Sequence, residues 1–217
     1  MDFEAARRTM VDTQIRPNDV TDPAIVGAFL RVPREAFVPG SKRGIAYSEY
    51  EIRTGEGRAL WTPRDTAKLI RSLEPGPQDA CLVIGAGTGY EAALLAHLSE
   101  TVIALEEDEQ MVERLGKRLA DLGLDRAVAV QGKLTEGLPG EGPFDCILIC
   151  GMVDQVPETL TAQLAEGGRL AAVVALDAAL GRGRVYTKTG DIAAYRETFD
   201  ACPPRFHAFD KPKAFEF

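Results

Sequence analysis

Little in this sequence points to a metal, a membrane or a nucleic acid. Histidine occurs only at His97 and His207, and the four cysteines, at positions 81, 146, 150 and 202, form no Cys-x-x-Cys pair. Zinc sites draw such ligands from short fixed spacings, so no metal centre is expected. Three of the cysteines stand inside apolar runs, the setting of buried reduced thiols. The longest apolar runs, such as Leu170-Ala171-Ala172-Val173-Val174-Ala175-Leu176, have the length of a strand and fall far short of a membrane span. Arg7 and Arg8 are followed by no apolar core or cleavage site, so no export signal is read and the chain is expected to be cytoplasmic. Basic residues number 25 against 33 acidic ones, a formal net charge of -8. A nucleic-acid surface needs clustered Lys and Arg to neutralise phosphates, and this balance argues against one.

What the sequence does have is one stretch around which the rest is arranged. Cys81-Leu82-Val83-Ile84 is a short apolar run that stops at Gly85-Ala86-Gly87-Thr88-Gly89-Tyr90, and an apolar-periodic segment, Glu91 to Leu98, follows at once. The pattern reads as strand, tight glycine-rich turn, helix. Without side chains at 85, 87 and 89 the backbone can turn sharply and approach a ligand. Thr101 to Leu105 is a second strand, and it ends at Glu106, where an acid suits the two donor hydroxyls of a ribose. The dinucleotide fingerprint places its third glycine at the sixth position, which here is Tyr90. The spacing is instead Gly-x-Gly-x-Gly, the pattern of S-adenosylmethionine (SAM) methyltransferases. A nucleoside cofactor is expected, SAM ahead of NAD.

Along the chain, residues 2–16 read as a helix broken by Pro17, and Thr21-Asp22-Pro23 opens a second one carrying Ile25, Val26, Phe29 and Leu30. Residues 34–60 read as a long irregular loop, and loops of that length are usually functional. Thr62-Pro63 starts a third helix. Beyond Glu106, Met111, Leu115, Leu119 and Leu122 form one helical stripe. Further strands are expected at 128–130, 144–150 and 170–176, with a helix at Leu160 to Leu164 and a hairpin at 184–188 and 195–199. Five βα units and a terminal hairpin make an α/β fold: a doubly wound Rossmann-like sheet, mostly parallel with an antiparallel C-terminal edge, under an N-terminal helical cap. A single domain is expected over 1–217, with helices and active-site loop in 1–76, cofactor core in 77–176 and hairpin in 177–217. Pro203-Pro204 leaves open a docking role for this last stretch.

Several strings carry a family resemblance over nearly the full length. They are Met10-Val11-Asp12-x-Gln14-Ile15-Arg16, Val32-Pro33-Arg34-Glu35-Ala36-Phe37-Val38-Pro39, Ala46-Tyr47-x-x-Tyr50, the Gly85 to Tyr90 loop, Pro143-Phe144-Asp145-Cys146-Ile147-Leu148-Ile149, Val156-Pro157-Glu158 and Leu164-x-x-Gly167-Gly168-Arg169-Leu170. In these the chain resembles the protein-L-isoaspartate O-methyltransferases. The resemblance implies methyl transfer from SAM to the α-carboxylate of isoaspartyl residues in damaged proteins, a repair activity with such proteins or peptides as partners. A carboxylate with a pKa near 4 is already ionised at pH 7, so the reaction asks for alignment and dry walls more than for a strong base.

The same resemblance places the site residues. Where the family has Gly-Gln-Thr-Ile-Ser-x-Pro, this chain has Gly57-Arg58-Ala59-Leu60-Trp61-Thr62-Pro63, with tryptophan in the place of the serine that contacts the acceptor. Arg58, Trp61 and Thr62 are therefore the expected acceptor-side residues; the guanidinium of Arg58 suits a carboxylate. Leu60, Gly85, Ala86, Gly87, Gly89, Glu106, Lys133 and Leu134 are the expected cofactor-side residues. Gly132-Lys133-Leu134 stands where the family has Gly-Asp-Gly, and lysine has only donors to offer an adenine amino group. The departures leave two alternatives beside isoaspartyl repair: a SAM enzyme of this fold with another acceptor, or a homologue that has lost turnover.

Overall fold

The computed structural model describes residues 1–55 and 57–211. Glu56, in the long N-terminal loop, and 212–217, at the end of the C-terminal stretch, lie outside the described residues. Helix α1 (Phe3–Met10) starts where the Asp2 carboxylate accepts the Ala5 N–H at 3.0 Å. The coil then widens into a π-type turn over Val11–Ile15, burying Val11 and Ile15, and stops at Asp19 with φ of 62°. Helix α2 (Pro23–Arg31) has Pro23 in its first turn and Asp22 as its cap. It buries Ile25, Val26, Ala28 and Phe29, where the periodicity had pointed to Ile25, Val26, Phe29 and the more exposed Leu30.

The 34–60 stretch is less irregular than its sequence suggests. Two 3-10 turns, Arg34–Phe37 and Gly40–Ile45, lead into a small antiparallel hairpin of β1 (Ile52–Gly55) and β2 (Arg58–Leu60). Strands of four and three residues are too short to show an alternating pattern. Helix α3 (Pro63–Leu73) buries Ala67, Leu69, Ile70 and Leu73 along one face.

The central unit follows as β3 (Ala80–Ile84), α4 (Tyr90–Ala96), β4 (Thr101–Glu106), α5 (Glu109–Asp121) and β5 (Ala127–Gln131). No helix separates β5 from β6 (Phe144–Val153), so the expected five βα units are one helix short there. Helix α6 (Glu158–Thr161) is brief, and β7 (Leu164–Ala175) begins inside the segment where the helix had been expected to finish. Strands β8 (Gly181–Thr189) and β9 (Ile192–Ala201) form the predicted hairpin, longer than predicted at both ends.

Among the described residues, seven strands make one sheet in the order β5-β4-β3-β6-β7-β8-β9. The five from β5 to β7 are parallel, and β8 and β9 run antiparallel at the edge. Chain order reverses between β3 and β6, so the carboxyl ends of those strands flank the crevice where ligands of such sheets bind. The two strands have unequal reach. Strand β3 pairs with β6 from Cys81–Cys146 to Ile84–Ile149 and turns away at Gly85, while β6 continues to Val153. A late segment fills the edge thus exposed: the Met152 N–H donates to Pro204 O and the Phe206 N–H to Met152 O, each at 2.8 Å. The stretch around Pro203-Pro204 therefore docks on its own sheet. Buried Cys81, Cys146 and Cys150 are free thiols, as is the exposed Cys202.

Candidate active site

The glycine-rich turn is built as the sequence predicts. Gly85 and Gly87 take φ of 69° and 56°, a region that side-chain-bearing residues rarely adopt. The N–H groups of Gly85 and Ala86 both donate to Leu105 O, at 3.0 and 3.2 Å, which ties the turn to the end of β4. Gly89 precedes α4, and a β-carbon there would come within 2.4 Å of the Leu115 side chain.

Glu106 stands at the carboxyl end of β4 with no solvent exposure. Its carboxylate accepts four hydrogen bonds. The Gly87 N–H reaches Oε1 at 2.6 Å and the Glu107 N–H reaches Oε2 at 3.2 Å. The other two come from Arg58, whose Nε and Nη2 each donate at 2.8 Å in a bidentate pair. The same guanidinium lies 4.6 Å from the centre of the Phe206 ring. Burial works against its charge, but the hydrogen bonds and charge of Glu106, with Glu107 further out, raise the pKa of Arg58 above its ordinary value. The sequence assigned Arg58 to the acceptor side and Glu106 to the cofactor side; the fold joins them.

A second buried polar group lies at the start of α4. Arg34, fully buried, donates from Nε to Ala46 O at 2.8 Å and from Nη2 to Trp61 O, and it stacks over Tyr90 at 4.8 Å. Glu91 is also buried, and its Oε1 has no partner among the described residues. Burial pushes its carboxyl up to about 7, against the pull of its own backbone N–H and of Arg34. Burial, with Glu91 and Glu106 nearby, likewise raises the thiol of Cys150 well above its usual value. Arg34 stands in one of the strings that carry the resemblance and Glu91 opens the segment after the turn, but their burial follows only from the fold.

The remaining expected residues divide between core, cap and surface. Leu60 and Trp61 are core residues, with Trp61 3% exposed. The Thr62 hydroxyl oxygen accepts the Asp65 N–H at 3.1 Å and so caps α3. Lys133 points outward to Glu136, at 2.8 Å. Leu134 is buried, and its N–H donates to Glu107 Oε1 at 3.3 Å. Glu107 thus holds the loop after β5. Phe206 is the residue that sequence reasoning missed: a β-carbon on Gly85 would stand 2.2 Å from its ring, and one on Gly151 2.4 Å.

The comparisons with known proteins bear on this geometry. The family profile described as protein-L-isoaspartate(D-aspartate) O-methyltransferase matches residues 5–197. A protein-L-isoaspartate O-methyltransferase from Roseiflexus castenholzii is 38% identical over 78% of this chain and 78% of its own. The chain belongs to the protein-L-isoaspartate O-methyltransferase family. Another relative of that name, from Methanoculleus marisnigri, is 36% identical over 77% of this chain and 76% of its own. Among solved structures, a protein-L-isoaspartate O-methyltransferase superposes with a TM-score of 0.79 at 24% identity, over 92% of this chain; the chain spans 65% of that protein's length. A Plasmodium falciparum protein described as a putative member, in complex with S-adenosyl-L-homocysteine, gives 0.75 at 21% identity over 94% of this chain and 98% of its own. These two likenesses confirm the fold.

The family's cofactor is SAM, and in this structure Arg58 and Phe206 stand where the crevice opens over Glu106 and Gly85. A carboxylate has about four acceptor positions, and those of Glu106 are engaged by Arg58, Gly87 and Glu107. The space over Gly85 and Gly151 is filled by the Phe206 ring. A separate cavity of ≈ 230 Å³ lies beside Gly87 and Thr88, with Phe37 and Arg118 among its lining residues.

Proposed function

We propose that this chain is a SAM-dependent carboxyl methyltransferase whose acceptor is the α-carboxylate of isoaspartyl residues in proteins or peptides. The observation that carries the reading is the pairing of the Gly85–Gly89 turn with Glu106, within a chain matched by the family profile over residues 5–197. The turn and the acid at the next strand end are the two parts that a nucleoside cofactor requires of such a sheet. On the acceptor side, Arg58 is the one cationic side chain among the three expected residues, and a guanidinium matches a carboxylate bidentately. Trp61 and Thr62 contribute by fixing the loop that carries it, one from the core and the other as the cap of α3.

The test is transfer of a base-labile labelled methyl group from SAM to an isoaspartyl peptide, with the aspartyl peptide as control. Transfer to the isoaspartyl peptide alone is the expected result. Equal transfer to both peptides, or to neither, refutes the assignment of the acceptor.

A further inference from the structure

We infer that Arg58 and Phe206 form a gate over the cofactor crevice, so that the ligand-free chain holds its own ribose-binding acid closed. The inference rests on the SAM-dependent reading above. Three observations support it. Arg58 spans from the β1–β2 hairpin to the end of β4 and takes one hydrogen bond to each oxygen of Glu106, both at 2.8 Å. Phe206 presses on the guanidinium from one side, at 4.6 Å, and on Gly85 and Gly151 from the other. The segment that carries Phe206 is fixed to β6 through both backbone groups of Met152 and through the ion pair of Arg205 with Asp154. None of these contacts is needed to build the glycine-rich turn, which is held by Leu105.

A ribose diol reaching Glu106 has to displace Arg58, because both partners want the same oxygens. The pair is also poorly screened, with side-chain exposures of 14% for Arg58 and 0% for Glu106. Removing the guanidinium leaves a buried carboxylate without its counter-charge, which raises the free energy of the closed, ligand-free state. Bound cofactor hydroxyls then relieve that state directly. The gate therefore lowers cofactor affinity while stabilising the empty protein.

The experiment measures S-adenosylhomocysteine binding by calorimetry, and melting of the ligand-free protein, for the full chain and for R58Q, R58K and E106Q. R58Q should melt below the wild type yet bind S-adenosylhomocysteine more tightly, by about tenfold or more, as expected when a charged bidentate contact no longer competes. R58K, which keeps a charge but not the fork, should fall between them and carries the test if R58Q does not fold. E106Q breaks the same ion pair but removes the acid that the ribose needs, so its affinity should drop. A purely structural Arg58 would lower the melting temperature without tightening the ligand. Equal or weaker binding by R58Q and R58K, with the wild type still binding, overturns the gate and leaves the proposed function standing. Failure of the wild type and both Arg58 variants to bind at millimolar ligand overturns both.

Discussion

Glu91 gives the fold a pH dependence that one substitution should remove. Its carboxyl is held in the interior at the first turn of α4, with one oxygen unpartnered among the described residues, and burial lifts it from the ordinary 4.5 to about 7. Arg34 faces it as a favourable charge, and Cys150, itself kept neutral by burial, lies close enough to feel it. Because its folded value is the higher one, the folded chain keeps a proton that the unfolded chain has released. The resulting stability is fully present below about pH 4.5 and is lost as pH rises through about 7. At about 1.4 kcal/mol per pH unit, the loss between pH 5 and pH 8 comes to about 2 to 3 kcal/mol. Glu91→Gln stays neutral throughout, so its stability relative to the wild type should improve by that amount over the same range. Urea unfolding of both proteins at pH 5, 6, 7 and 8 reads the difference. His97 contributes with the opposite sign, since burial and Arg31 depress it, but it is common to both proteins and cancels. A difference that stays flat to within about 0.5 kcal/mol across the range would show that Glu91 is solvated or ionised in the fold, and would refute the argument.

Two further substitutions test the surroundings of the crevice. Thr62→Ala should cost about 1 kcal/mol by removing the cap on the Asp65 N–H, and Thr62→Ser should restore most of it; thermal melts of the three proteins decide. Gly85→Ala places a β-carbon 2.2 Å from the Phe206 ring at a φ of 69°, so it should destabilise the fold by about 2 kcal/mol or more and speed hydrogen exchange at the Phe206 amide. Unchanged exchange at that amide would mean the ring does not rest on the turn.

How much of this was legible in the sequence depended on whether the signal was local. Strands β3, β4, β6 and β7 are apolar runs bounded by glycine or charge, and parallel strands covered on both faces must look that way. The glycine-rich turn and Glu106 were legible because their geometry is set within a few residues of each strand end. The β1–β2 hairpin was not, since seven residues cannot carry a readable alternation, and the missing helix after β5 left no mark beyond a run of turn formers. The Arg58–Glu106 pair and the seat of Phe206 join positions far apart in sequence, and only the packing of the hairpin and the late segment on the sheet brings them together. Reading each residue against its family counterpart put Arg58 on the acceptor side, and its pairing with Glu106 became visible only in the fold.

The unequal reach of β3 and β6 also makes the sheet depend on a segment remote from it in sequence. The edge at Met152 lies in the middle of the sheet, and its N–H and C=O are paired by Pro204 and Phe206. A buried backbone group left without a partner costs about 1 to 3 kcal/mol. The 203–206 segment therefore belongs to the same cooperative unit as the parallel strands it completes, and the turn at Gly85 shares its stability with residues from the far end of the sheet's connectivity.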